Sequence, residues 1–112
     1  MTPDDVRALA LALPGVVEVD HHGRRAFRLP KGQLATLWSE TQLNVLLAES
    51  AARAAEGGPC TLLWWGKKIS GVRVDLTQAA PELVAELLQE AADRADRRAP
   101  ATLRRESGPA GS

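Results

Sequence analysis

At 112 residues the chain is long enough to enclose one two-layer core and too short for two. Basic and acidic residues balance at 14 each, so composition supplies no global pull toward nucleic acid or an anionic membrane, although local fields can still act. No apolar run approaches the roughly 20 residues that a membrane-spanning helix needs.

Thr2-Pro3-Asp4-Asp5 reads as a helix start: a hydroxyl N-cap, proline at the first helical position, then acids facing the positive end of the dipole. Val6, Leu9, Ala10 and Leu13 follow at spacings of three and four and form one apolar stripe, which Pro14-Gly15 ends. Residues 16–19 are a short extended segment, and Asp20-His21-His22-Gly23 a loop. Residues 24–29 and 33–38 alternate as a hairpin around Pro30-Lys31-Gly32, with Gly32 expected in the left-handed conformation that a three-residue loop wants. The strand period puts Phe27, Leu29, Ala35 and Leu37 on a core face. Arg24, Ala26, Arg28, Leu34, Thr36 and Trp38 fall on a second, open face.

Residues 43–47 read as a further antiparallel strand after a turn at 40–42. Ser50 is the expected cap of a short helix over 51–56, closed by Gly57-Gly58-Pro59. Strands over 61–65 and 72–76 flank a loop over 66–71, with Val72, Val74 and Leu76 toward the core and Arg73 and Asp75 away. Pro81 opens a long helix to Arg98, whose buried stripe is Leu83, Val84, Leu87, Leu88, Ala91 and Ala95. Residues 99–112, rich in Pro, Gly, Ser and Arg without periodicity, are expected to be a disordered tail. The element order predicts an α+β fold in a single domain of residues 1–98: two layers, an antiparallel sheet with helices packed on one face and the other face left open.

The N-terminus has no basic-then-apolar leader, and the lone Cys60 cannot form an internal disulfide; both point to a cytoplasmic protein with no membrane partner. His21 and His22 are adjacent, so in an extended chain they point apart and cannot share a metal. No nucleophile elbow, phosphate loop or paired-carboxylate pattern occurs. No catalytic residue, metal ligand or cofactor site is therefore expected, and the protein reads as non-catalytic. Charge patterning is more informative. Arg24, Arg25, Arg28 and Lys31 fall between residues 21 and 33 with no acid among them, and Lys67, Lys68 and Arg73 do the same between 60 and 74. Trp38, Trp64 and Trp65 lie on the strands of these two hairpins.

Leu13-Pro14-Gly15-Val16 followed by Glu18, then Ala26-Phe27-Arg28-Leu29 running through a turn into Leu34-Ala35, form one set of short motifs. Gly66-Lys67-Lys68, Val72-Arg73-Val74-Asp75-Leu76 and the Glu82-Leu83 and Glu86-Leu87-Leu88 helix form another. In this order and spacing the chain resembles the MmcQ/YjbR family over residues 2–98. The resemblance implies a two-layer fold of the secretion-chaperone-like and CyaY-like kind. It also implies DNA binding through a double-wing arrangement of two hairpins on a concave sheet, the wings here being the turns at 30–32 and 66–70.

Two expectations follow. In the first, Arg24, Arg28, Lys31, Lys67, Lys68 and Arg73 contact DNA phosphates while Trp38 or a neighbouring tryptophan packs on a base or sugar, weakly and with a salt slope set by about four to six phosphates. In the alternative, the open face carrying Arg28, Leu34 and Trp38 holds a small molecule or another protein chain.

Overall fold

The opening helix, α1 (Pro3–Leu11), begins where Thr2 and Asp5 satisfy each other's backbone. Thr2 Oγ1 accepts from the Asp5 N–H at 3.1 Å and Asp5 Oδ2 accepts from the Thr2 N–H at 2.9 Å, a reciprocal capping box. A computed structural model describes residues 1–97; the expected tail at 99–112 lies outside the described residues, as does Arg98.

After α1 the chain forms β1 (Val17–His21), β2 (Arg24–Leu29), β3 (Gly32–Ser39) and β4 (Gln42–Leu46) as consecutive antiparallel hairpins. Then come α2 (Glu49–Ala55), β5 (Cys60–Trp65), β6 (Lys68–Asp75) and α3 (Pro81–Arg97). The six strands make one antiparallel sheet in the order β1-β2-β3-β4-β6-β5. α3 packs on β3 and β4, α2 on β5 and β6, and α1 on α3 and β1. Phe27, Leu34, Leu43, Leu47, Leu76 and Leu88 are fully buried in the layer between sheet and helices. From α3 that layer receives Val84, Leu87, Leu88, Ala91, Ala92 and Ala95, while Leu83 is only partly buried. No helix among the described residues is long and apolar enough to cross a membrane.

The hairpins zip further than the sequence pattern implies, because each added ladder pair satisfies backbone groups until only the shortest turn remains. Asp20 and His21 pair with Arg25 and Arg24, leaving His22 and Gly23 as a two-residue turn, both with positive φ. Gly32 pairs with Leu29 and does not take the expected left-handed conformation, so the first wing is only Pro30-Lys31. Trp65 pairs with Lys68, so Lys68 through Gly71 belong to β6 and the second wing is only Gly66-Lys67. Ser50 lies inside α2, which starts at Glu49 after Ala48 with no side-chain cap; Glu49 instead pairs with Arg53 one turn on, at 2.8 Å.

Leu34 is in the core, not on the open face. Phe27 faces Ala35 and Arg28 faces Gln33, so Leu34 is an extra residue in β3, a bulge that turns Leu34 and Ala35 both inward. Further register shifts occur at Leu37/Ser39 and at Leu63/Trp64.

Candidate functional site

On its face opposite the buried core the sheet presents a groove of about 710 Å³. Gln33 and Trp38 of β3, Asn44 and Leu46 of β4, Arg73 of β6 and Leu63 of β5 line it, so its floor crosses four adjacent strands. Lys31 and Arg94 border it from the β2–β3 turn and from α3, and Trp64 and Trp65 border it from the edge strand. Among the described residues no acidic one lines it. A second cavity of about 310 Å³, lined by His21, His22, Arg24 and Thr36, shares Trp38, Asn44, Leu46 and Leu63 with the groove, so Trp38 stands between two connected hollows.

Trp38 is held by two arginines. The Arg24 guanidinium carbon lies 3.8 Å from the Trp38 ring centroid, and Arg24 Nε donates to the Trp38 carbonyl at 3.1 Å. Arg73 lies 5.1 Å from the same centroid and is steadied by Nε donating to Asn44 Oδ1 at 2.8 Å. Each cation–π contact at such a partly exposed site contributes roughly 0.5–1 kcal/mol. Gln33 Nε2 donates to Thr36 Oγ1 at 2.7 Å, which orients a second amide on the floor. Even so Trp38 stays 41% exposed, Trp64 54% and Trp65 83%. All three tryptophans of the chain therefore present ring surface to solvent, where a domain with only one phenylalanine would ordinarily spend them on its core.

The residues singled out in the sequence divide into two groups. Lys31, Trp38 and Arg73 share the groove, and Arg24 joins them through Trp38. Arg28, Lys67 and Lys68 are exposed outside it; Arg28 Nε donates to the Leu29 carbonyl at 3.2 Å, and neither Lys67 nor Lys68 has an acidic partner among the described residues. Lys31 at the first wing is already engaged by Asp96 of α3, whose carboxyl that hydrogen bond and charge hold below the usual range. Trp38 sits at the far end of β3 from the Lys31 turn.

Sequence reasoning passed over Asn44, Gln33, Ser70 and Arg94. Asn44 alone carried a signal, a polar residue between Leu43 and Val45 of a strand, which marks the face opposite the core. Trp64 and Trp65 were visible as neighbours of the second wing, but their exposure was not. Cys60 is buried in the core, and burial pushes its thiol up, away from nucleophilic use. Among the described residues no group of three His, Cys, Asp or Glu side chains converges to hold a metal. Compared with protein-family models, with curated proteins and with solved structures, the chain matches none.

Proposed function

We propose that the open sheet face binds DNA without catalysis, and single strands in preference to duplex. The observation that carries this reading is the groove: three exposed tryptophans, arginine against one of them, and no acidic residue in the lining among the described residues. Aromatic side chains give bases a surface to stack on, worth roughly 1–3 kcal/mol per base, and cations track the backbone beside them. Trp64, Trp65 and Trp38 are the stacking surfaces, Arg73 and Arg24 contact phosphate or sugar, and Lys67, Lys68 and Arg28 catch the strand as it leaves the groove. The engagement of Lys31 by Asp96 argues for a single strand, because it leaves the first wing with little free charge for duplex phosphates. The resemblance to the MmcQ/YjbR family points to the same ligand class.

These five cations give a log–log salt slope of about −3.5 on a single strand, at about 0.7 per phosphate neutralised. Anisotropy titrations of labelled single-stranded and duplex oligonucleotides between about 50 and 200 mM salt test the proposal. The expected result is micromolar binding of the single strand with that slope, weakened about tenfold or more by Trp38→Ala or Trp65→Ala. No binding at the low-salt end, or binding indifferent to salt, overturns it.

A second reading rests on the apolar floor at Leu46 and Leu63, which with a volume of about 710 Å³ is of the size and character that takes a small molecule or a protein side chain. In a thermal-shift screen, stabilisation by an uncharged planar compound and none by oligonucleotide would favour this second reading.

A further inference from the structure

β5 is an outer strand, paired with β6 on one side only. At Cys60 its outer edge is closed, because the Cys60 N–H and C=O exchange 2.9 Å bonds with Gly57. Alternation along the strand then aims the backbone groups of Leu62 and Trp64 outward as well. The Leu63 carbonyl points the other way, accepting from Ser70 Oγ at 3.3 Å. Two consecutive outward positions are thus left with no strand beside them among the described residues.

Residues 60–65, Cys-Thr-Leu-Leu-Trp-Trp, carry no charge and no proline, the devices that ordinarily blunt an edge. The other edge of the sheet is defended. β1 carries Glu18 and Asp20, and Arg7 of α1 reaches Glu18 at 2.7 Å.

We propose that β5 pairs antiparallel with β5 of a second copy of this chain, about a two-fold axis at Leu63. An antiparallel strand pair is self-complementary about such an axis, and Leu63 is the midpoint of the two outward positions. That register sets Leu62 opposite the second copy's Trp64 and satisfies the outward backbone groups of both. It also carries the Gly66-Lys67 turn toward the second copy's segment 56–58. Lys67 and Glu56 are both exposed and neither has an ion-pair partner among the described residues, so the register supplies each with its complement twice. This charge match is what selects a second copy over an unrelated strand. The dimer joins two six-stranded sheets and sets the two grooves side by side, with Trp65 of each copy beside the other's Thr61.

Sedimentation equilibrium of the full chain, without nucleic acid and from about 1 to 200 µM, tests this. The expected mass rises toward twice the 12.0 kDa of the chain. Trp64→Lys, at an exposed position, is expected to weaken the dimer about tenfold or more, with far-UV circular dichroism confirming the fold. Glu56→Lys and Lys67→Glu each weaken it and together restore it, which holds the register to account even if the Trp64 variant misfolds. A monomer throughout the range overturns the proposal. So does a dimer that none of these substitutions weakens, or a mass that climbs past two copies. Because no oligonucleotide is present, failure here and failure of the DNA reading are separate results.

Discussion

Gly71 lies in β6 between Leu46 of β4 and Leu63 of β5, with φ of +156°. A Cβ there would stand 1.8 Å from the Val45 carbonyl oxygen, 2.9 Å from its carbon and 3.0 Å from Leu46 Cα. All three are backbone atoms of the neighbouring strand, so no rotamer change relieves the clash. Relief means prising β6 from β4 over about two ladder hydrogen bonds, at about 1 kcal/mol each, with packing strain of about 1–3 kcal/mol besides. Gly71→Ala is therefore expected to cost about 3–5 kcal/mol, which in a domain of this size lowers Tm by at least about 12 °C. Urea and thermal unfolding followed by circular dichroism measure it. Gly32→Ala is the control: its added methyl meets only Ala95 Cβ at 3.6 Å, an ordinary contact, and the expected change is within about 0.5 kcal/mol. A Gly71→Ala loss below about 1 kcal/mol, or one matching the control, would falsify the close approach of β6 to β4.

Thr2→Ala removes half of the capping box of α1 and is expected to cost about 1 kcal/mol in the same unfolding assay, whereas Thr2→Ser should cost little. Asp5, Asp75 and Asp96 are each held below the usual carboxylate range: Asp5 by hydrogen bonds from the Thr2 N–H and hydroxyl, Asp75 by the Thr77 hydroxyl and N–H, Asp96 by Lys31. Depressed folded values place their contribution fully above the unfolded carboxylate range and remove it as pH falls through the lowered values, so Tm is expected to be level near neutrality and to drop below about pH 4. Asp75→Asn should make that acid limb shallower, and an unchanged limb counts against the Thr77 contact. If single strands bind as proposed, Lys67→Ala reduces the log–log salt slope by about 0.7, while Lys31→Ala, already neutralised by Asp96, leaves it nearly unchanged. Equal losses from the two lysines would contradict the ion pair's persistence in solution.

The α+β architecture, all six strands and both principal helices could be read from period and punctuation, because Val72, Val74 and Leu76 alternate cleanly and the α3 stripe is wide. Position within the strands was less legible. A bulge changes which face a residue occupies without changing its composition, and so Leu34 passes for an open-face residue while lying in the core. Turn length depends on how far the ladder closes, which is settled across strands; the Lys68–Gly71 segment reads as loop and is strand. The groove was half visible. Arg24, Trp38 and Arg73 share a face by simple alternation, but the Lys31–Asp96 pair spans 65 positions and no local pattern announces it. The exposure of Trp64 and Trp65 depends on β5 being outermost, a fact of strand order that the hairpin alone does not carry.

Strand order has one further consequence. β1 to β4 are joined in succession, while β5 and β6 form a hairpin that meets the rest through β6 alone, along Gln42–Leu46 and Gly71–Asp75. The sheet is in effect two panels with a single seam, and the groove lies astride it. Gln33, Trp38, Asn44 and Leu46 belong to one panel, and Leu63, Trp65, Ser70 and Arg73 to the other, with the Arg73–Asn44 bond as a stitch. Anything seated in the groove grips both panels and binds only the closed form, so occupancy slows their parting. Amide exchange along β4 and β6 then becomes a gauge of whether the groove is filled, legible before the occupant itself is known.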